Sequence, residues 1–256
     1  MVESSPVARI YGIIPARWGS TRFPGKALHP VAGKPLVQHV WERCCEATEL
    51  ADVILATDDD RIAAAARSFG ARVELTSSVH PSGTDRLAEV ASRLPDATHL
   101  INVQGDEPTI PAALIDRLAR ALTDDPALEM ATAAARLDDP ADFENPNIVK
   151  VVLAANGDAL YFSRSPIPFA GFLHSIAGMP IYGHHGLYGY TRAFLQRFVS
   201  WPPSELEKIE RLEQLRALEN GVRIRVLVTE HEALGVDSPA DVTPAEAALA
   251  LLSLHL

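Results

Sequence analysis

The alternation of short apolar segments with helical patterns over the first hundred residues constrains the fold of this chain more than any other feature. Strands are predicted at residues 10–15, 52–57, 72–75 and 99–103. Between the first two, Val37, Val40 and Cys44 share one face of a predicted helix that begins at Pro35. Strands that alternate with helices form parallel sheets with crossover connections. We therefore expect an α/β fold with a doubly wound, mostly parallel sheet.

The second half of the chain is patterned differently. Further strands are predicted at residues 149–153, 160–163, 187–190 and 223–228. One helix is predicted from Ser204, with Glu207 completing a capping box, to a stop at Asn220, and a last helix begins at Pro239. The intervening stretch at residues 165–183 is rich in Pro and Gly and has no periodicity. Without a repeat or linker, we expect one domain (residues 1–256) with a smaller inserted region at about residues 150–195.

Composition excludes several classes of protein. The net charge of −10 is opposite to that of a typical nucleic-acid surface. No run of eighteen apolar residues and no hydrophobic amino-terminal run occurs, so we expect neither a membrane span nor a signal peptide, and a cytoplasmic location. The two cysteines, Cys44 and Cys45, are adjacent, which suits neither a disulfide framework nor a zinc site.

A cationic loop follows the first predicted strand. It reads Pro-Ala-Arg-Trp-Gly-Ser-Thr-Arg-Phe-Pro-Gly-Lys over residues 15–26, so Arg17, Arg22 and Lys26 lie among small residues. Backbone amides and cations together suit a small polyanion such as a triphosphate. The glycine spacing is one residue too long for a Walker A motif, and no GxGxxG occurs. The alternative is a surface loop whose charges are solvated.

Two aspartates follow predicted strands and are candidate metal ligands. Asp106 comes after the strand at residues 99–103, and Asp237 comes after the strand at residues 223–228. Magnesium typically takes one or two carboxylates together with phosphate oxygens and water. The residues alone also allow Asp106 to be a turn residue and Asp237 to cap the last helix. Asp58 also follows a strand, but N-capping of the next helix accounts for it.

Two other segments carry candidate ligand-binding side chains. Ser82 and Gly83 precede a predicted helix, where they could cap the helix, hydrogen-bond a pyrimidine, or do both. On the helix predicted from Ser204, a spacing of about 100° per residue places Glu213 on the face that should pack inward. A buried carboxylate needs a partner. That partner is either the hydroxyls of a ligand or an arginine such as Arg164.

Segments along nearly the whole chain, taken in order, are similar to one family. They are the loop at residues 15–26, His-Pro-Ser-Gly-Thr-Asp-Arg (80–86), Asn-Val-Gln-Gly-Asp-Glu-Pro (102–108), Asn-Pro-Asn (145–147), Tyr-Phe-Ser-Arg (161–164), residues 184–190, residues 206–216 and Gly-Val-Asp (235–237). The chain thereby resembles the bacterial cytidylyltransferases that activate 3-deoxy-manno-octulosonate (Kdo), the acidic sugar of lipopolysaccharide. Sialic acid cytidylyltransferases share the fold but match the first loop less well.

The resemblance implies a role for specific residues. CTP would be bound by Pro15, Ala16, Arg17, Arg22, Lys26, Ser82, Gly83, Arg86 and Gln104. The sugar would be bound by Arg164, His184, Tyr188, Glu210, Glu213 and Gln214. Asp106 and Asp237 would hold one or two Mg²⁺ ions and act in catalysis with Arg17, Arg22 and Lys26. The family also implies a homodimer, formed through the region around residues 165–183.

The implied reaction is nucleotidyl transfer. The anomeric oxygen of Kdo would attack the α-phosphorus of CTP, giving CMP-Kdo and pyrophosphate for lipopolysaccharide synthesis. The alternative within this class is a cytidylyltransferase for another acidic sugar, such as amino-Kdo, sialic acid or another nonulosonate. A transferase for sugar 1-phosphates would need a more basic second half, and a nucleotide sensor would not need the second aspartate.

Overall fold

The computed structural model describes residues 8–19, 23–170 and 179–253. The strands in these ranges are β1 (Ile10–Ala16), β2 (Pro30–Val31), β3 (Lys34–Pro35), β4 (Asp52–Thr57), β5 (Arg72–Leu75), β6 (His99–Asn102), β7 (Met130–Arg136), β8 (Lys150–Leu153), β9 (Ala159–Ser163), β10 (Tyr182–Thr191) and β11 (Ile224–Thr229). The helices are α1 (Leu36–Cys45), α2 (Asp60–Ser68), α3 (Gly83–Ser92), α4 (Ala112–Asp124), α5 (Pro140–Glu144), α6 (Arg192–Ser200), α7 (Glu205–Glu210), α8 (Gln214–Glu219) and α9 (Val242–Ser253). None of these helices is both long and apolar enough to cross a bilayer.

One mixed sheet organises the described residues. Its strand order is β11-β7-β10-β6-β1-β4-β5, with β8 and β9 branching from β10. Strands β1, β4, β5 and β6 pair in parallel, and β7 pairs in parallel with β11, whereas β10 runs antiparallel to both β6 and β7. The predicted α/β fold with a mostly parallel sheet is thus confirmed. The carboxyl ends of β1, β6 and β11 therefore meet at one edge, where ligands bind in such sheets.

Helices cover both faces of the sheet. In β1, Ile14 points to the core cluster that includes α1 and α4, and Ile13 points to the cluster that includes α3 and α6. Both side chains are fully buried. A strand buried on both faces is apolar at every position, which explains why β1 appears in the sequence as a continuous apolar run.

The antiparallel branch of β8 and β9 lies where the inserted region was expected. Its first residues pair with β10 at Tyr182 and Gly183. The division into one domain with an inserted region at about residues 150–195 stays a prediction.

Two local predictions were wrong. The helix expected from Ser204 to Asn220 is two short helices, α7 and α8, because Arg211 between them has the left-handed φ of 57°. The inward-facing positions that were predicted by counting 100° per residue across this break are therefore wrong. Ile209, for example, is 75% exposed. The cap of α2 is Asp59, not Asp58, since its carboxylate accepts the amide hydrogens of Arg61 and Ile62.

Candidate functional site

A pocket of about 460 Å³ lies at the carboxyl ends of β1 and β6. It is lined by Pro15, Ala16, Arg17, Gly19, Lys26, Ala27, His80, Ser82, Gly83, Arg86, Gln104, Gly105, Asp106 and Asp237. The structure thus brings together every predicted nucleotide-binding and metal-binding residue except Arg22, which lies outside the described residues. These residues come from loops after β1, β5, β6 and β11, far apart in the sequence.

Lys26 joins the two candidate metal ligands. Its Nζ lies 2.5 Å from Oδ2 of Asp106 and 2.9 Å from Oδ1 of Asp237. Burial by itself would lower the pKa of Lys26, but the two carboxylates outweigh it and raise that pKa above its ordinary value. The ammonium is therefore held charged between two carboxylates. Since one small cation touches both, the pair also fits a divalent ion with oxygen ligands.

Main-chain contacts hold both aspartates in place. Asp106 is in a turn after β6, and its carbonyl accepts the Val236 amide hydrogen at 2.8 Å. The Asp237 amide donates to Asp241 Oδ2 at 3.0 Å. The N-cap of the following 3-10 turn is Ser238, so the alternative of Asp237 as a helix cap is wrong. Asp106 is both a turn residue and a pocket residue.

The first loop is fixed at both ends. The Gly25 amide donates to the Trp18 carbonyl at 3.1 Å, and Gly25 has the left-handed φ of 73° that glycine adopts without strain. The indole of Trp18 stacks under the Arg61 guanidinium, whose central carbon lies 3.4 Å from the ring centroid. Lys26 follows directly in a short 3-10 turn, Lys26–Leu28.

The turn before α3 both caps the helix and lines the pocket. Ser82 Oγ accepts the Asp85 amide hydrogen at 3.1 Å, so this serine is the N-cap. Arg86 is only 4% exposed; its guanidinium bonds Thr76 and lies 3.3 Å from Asp58. Gln104 reaches the pocket from the other side and donates to the Gly186 carbonyl at 3.0 Å. Two pocket side chains are thus anchored before any ligand binds.

The predicted sugar residues lie outside the pocket lining, in a polar network at the start of the antiparallel branch. Glu210 accepts hydrogen bonds from the Ser163 hydroxyl at 2.6 Å and from the Arg164 amide at 3.0 Å. The Arg164 guanidinium donates to the carbonyls of Glu210 and Pro146. Glu210 and Arg164 are therefore held together largely through the main chain.

Glu213, three positions after Glu210 in the chain, contacts the pocket residue Ser82. Its carboxylate lies 3.0 Å from the Ser82 hydroxyl, accepts a bond from the Thr84 hydroxyl at 2.7 Å, and is 3.8 Å from Arg216. Burial raises the pKa of Glu213, and the hydroxyls and Arg216 offset this only in part. The alternative of an ion pair with an arginine is therefore confirmed, but the arginine is Arg216 and not Arg164, which bonds other groups. The hydroxyls that bond Glu213 belong to the protein.

His184, Tyr188 and Gln214 are the other three predicted sugar residues. His184 Nε2 is 2.9 Å from the Thr132 hydroxyl, and its ring centroid lies 5.3 Å from that of Tyr188. Burial lowers the pKa of His184 to about 3, so the imidazole is neutral, and burial raises the pKa of Tyr188. Gln214 is buried, and its Nε2 has no hydrogen-bond partner among the described residues.

Comparison with known proteins places this arrangement in a family. A sequence profile of the cytidylyltransferases matches residues 11–224. The chain is 54% identical over 241 residues to a 3-deoxy-manno-octulosonate cytidylyltransferase of Geobacter sulfurreducens, which covers 91% of this chain and 96% of that protein. The chain belongs to the 3-deoxy-manno-octulosonate cytidylyltransferase family. It is accordingly a nucleotidyltransferase enzyme. A relative of the same name from Solibacter usitatus is 53% identical over 91% of this chain and 92% of that protein.

Solved structures agree with this assignment. The structure of CMP:2-keto-3-deoxy-manno-octonic acid synthetase complexed with CTP superposes with a TM-score of 0.89 at 40% identity, over 95% of this chain and 99% of the other. A cytidylyltransferase from Leptospira borgpetersenii has a TM-score of 0.65 at 16% identity, over 95% of this chain and 87% of the other, which supports the fold alone.

Some residues around the site of this cytidylyltransferase were not predicted from the sequence. His80 lines the pocket and bonds Glu89 of α3. Glu107 is buried beside Asp106 and bonds His231. The signal for His80 was its place at the start of the His-Pro-Ser-Gly-Thr-Asp-Arg segment, whereas nothing in the sequence pairs residues 107 and 231.

Proposed function

We propose that this chain transfers CMP from CTP to the anomeric hydroxyl of Kdo and releases pyrophosphate, as a step of lipopolysaccharide synthesis. The observation that carries the proposal is the convergence of Lys26, Asp106 and Asp237 in one pocket with Ser82 and Gln104. A cation beside two carboxylates suits a metal-bound triphosphate, and the remaining polar groups suit a base. The choice of Kdo as the sugar comes from the relatives, which are named as 3-deoxy-manno-octulosonate cytidylyltransferases.

The pocket residues divide into two groups by chemistry. Arg17 and Lys26, with the small residues of the first loop, would bind the phosphates, because positive charge stabilises the pyrophosphate as it departs. Ser82, Gly83, Arg86 and Gln104 would bind the cytosine, since they offer donors and acceptors in a fixed arrangement. We place Arg22 with the first group on the resemblance alone.

We further propose that Asp106 and Asp237 hold one or two Mg²⁺ ions. Support comes from their two carboxylate oxygens, which the single Lys26 ammonium touches at 2.5 and 2.9 Å. The described residues offer no cluster of three His, Cys, Asp or Glu that would enclose an ion, so phosphate oxygens or water would complete the coordination. When bound, Mg²⁺ offsets the negative charge of the triphosphate.

The acidic sugar would bind beside the nucleotide, on the surface formed by Arg164, His184, Tyr188, Glu210, Glu213 and Gln214. The neutral His184, and Gln214 with its buried Nε2, can hydrogen-bond sugar hydroxyls. The Arg164 guanidinium, which already donates through Nε and Nη1 to main-chain carbonyls, can bind a carboxylate with its remaining N–H groups. Because Glu213 contacts Ser82, the sugar surface borders the base-binding turn.

In the proposed reaction, the anomeric oxygen forms a bond to the α-phosphorus of CTP. The bond between that phosphorus and the bridging oxygen breaks, pyrophosphate leaves with the electron pair, and the hydroxyl proton is released. The residues contribute chiefly by aligning the two substrates and by compensating charge.

We also propose that the protein is cytoplasmic, since the reaction consumes CTP. We further propose that it forms a homodimer. Leu160 of β9 and Phe169, which follows that strand, are 60% and 79% exposed, and such large apolar side chains favour an interface there. Light scattering after size-exclusion chromatography would give the mass of the dimer, and a monomer would rule this proposal out.

Pyrophosphate release tests the proposed function directly. CTP, UTP, ATP and GTP are each combined with Kdo, 8-amino-Kdo and sialic acid, with Mg²⁺ present or chelated. We expect release with CTP and Kdo when Mg²⁺ is present, and CMP-Kdo as the other product. Turnover of CTP only with another sugar would assign a different acidic substrate, and turnover only with another nucleotide would contradict the proposal.

A further inference from the structure

An irregular segment carries one of the two candidate metal ligands. Between β11 and Asp237, residues 230–237 form neither helix nor strand. Without the hydrogen bonds of a helix or sheet, the position of such a segment depends on individual contacts. One of these is the bond from the Val236 amide to the Asp106 carbonyl, and the Val236 side chain is fully buried.

A second contact joins two side chains. His231 Nε2 lies 3.1 Å from Oε1 of Glu107, which directly follows Asp106 in the chain. Glu107 is only 5% exposed, and a buried carboxylate is costly unless it accepts hydrogen bonds. The His231 imidazole therefore stabilises the buried Glu107 carboxylate. The same bond fixes the position of the imidazole. Together with the Val236 contact, this bond ties the segment to the loop after β6 at two points.

His185 of β10 supports the imidazole from a third strand. The ring centroids of His185 and His231 are 5.9 Å apart and the planes are nearly perpendicular, at 81°. His185 is buried, and its Nδ1 has no partner in the part of the chain that the structure describes. The edge of one ring therefore packs against the face of the other.

We propose that His231 is a positioning residue whose bond to Glu107 sets the separation of the Asp106 and Asp237 carboxylates. Neither His231 nor Glu107 lines the pocket, so both act through the aspartates. The expected effect of His231 on turnover rests on the proposed function. The link between residues 230–237 and the loop after β6 does not, because it exists without substrate.

Two variants separate the hydrogen bond from ring packing. His231→Phe keeps a ring against His185 and removes the N–H donor, whereas His231→Gln keeps an N–H donor and removes the ring. Loss of a group that orients a metal ligand typically costs about 10- to 100-fold in metal affinity or activity. We expect His231→Phe to raise the Mg²⁺ concentration for half-maximal turnover by about tenfold or more and to lower kcat, with the KM for Kdo unchanged. His231→Gln should restore most of this loss.

The experiment combines this kinetic comparison with hydrogen exchange of the substrate-free protein. His99→Gln is the matched control, since that partly buried histidine contacts Thr98 at the opposite edge of the sheet. Exchange over residues 230–237 should be faster in His231→Phe alone, with the melting temperatures recorded for all variants. The proposal is overturned if folded His231→Phe keeps the exchange and Mg²⁺ dependence of the parent, or if His231→Gln is equally impaired. The parent protein could show slower hydrogen exchange over residues 230–237 than His231→Phe and yet not turn over CTP and Kdo. That result would refute the proposed function and not the role of His231.

Discussion

The carboxylate of Glu213 lies 3.0 Å from the hydroxyl of Ser82, although 131 positions separate the two residues in the chain. Ser82 lines the proposed nucleotide pocket, and Glu213 belongs to the predicted sugar surface. The two proposed subsites therefore share a border made of one direct contact. Because burial raises the pKa of Glu213, this contact should also depend on pH.

Glu213→Gln should change the pH dependence of stability. The pKa of Glu213 is raised above its ordinary value of 4.5, so between 4.5 and the raised pKa the folded protein keeps a proton that the unfolded chain has released. The contribution of this group to stability is thus lost as pH rises through that window. Glutamine does not ionise, so the melting temperature of the variant relative to the parent should increase as the pH rises from below 4.5 through that window. A difference that is constant or decreases with pH would contradict this.

Asp106→Asn and Asp237→Asn should each lower turnover at least about 100-fold, because each removes a charge that the metal and Lys26 require. Both variants should keep the fold of the parent, since both aspartates are partly exposed at the pocket. Asp125→Asn is the control, because Asp125 forms an ion pair with Arg223 away from the pocket. Pyrophosphate release and melting curves give the two readouts. Substantial activity in either pocket variant would remove that aspartate from the metal site.

Lys26→Met should bind divalent ions more tightly without nucleotide and yet turn over more slowly. The Lys26 ammonium occupies the space between two carboxylates, so its removal leaves two like charges that attract a cation. The loss of a cation at the phosphates should lower kcat at least about 100-fold. Mn²⁺ binding followed by electron paramagnetic resonance, with Lys34→Met as the control, checks the first part. Weaker Mn²⁺ binding in Lys26→Met would show that the lysine does not compete with the ion.

Gly186→Ala should weaken recognition of CTP. A Cβ at position 186 would lie 3.0 Å from Cγ of Gln104, so that side chain must shift, and its bond to the Gly186 carbonyl would be strained. A net hydrogen bond contributes about 1 kcal/mol, which corresponds to roughly a fivefold rise in the KM for CTP. Gly235→Ala serves as the control, because its added methyl group meets no described atom within 4 Å. An unchanged KM for CTP would mean that Gln104 does not depend on this contact.

The sequence was sufficient to predict that the candidate site residues converge in one pocket, because parallel strands obey a simple rule. Strands β1, β6 and β11 end at one edge of the sheet, so the loops that carry Lys26, Asp106 and Asp237 had to converge there. The bounds of β4 and β5 were predicted without error, since each is a compact run flanked by turn residues. The family resemblance then supplied the proposed roles of these residues.

Other features had no signal in the sequence. Strand β7 is Met-Ala-Thr-Ala-Ala-Ala-Arg, whose alanines favour helix, and it forms a strand because its neighbours β10 and β11 pair with it. The left-handed Arg211 divides a segment whose apolar pattern continues through it. The partners of Glu213 come from a turn more than a hundred residues away, so helical periodicity could not identify them.

A crystal structure of the protein with CTP and Mn²⁺ tests the central claim most directly, because anomalous scattering locates the ion independently of the phosphates. The account predicts Mn²⁺ bound to Asp106 and Asp237, the triphosphate against Lys26, and the cytosine against Ser82 and Gln104. A nucleotide bound elsewhere, or an ion that contacts neither aspartate, would contradict it.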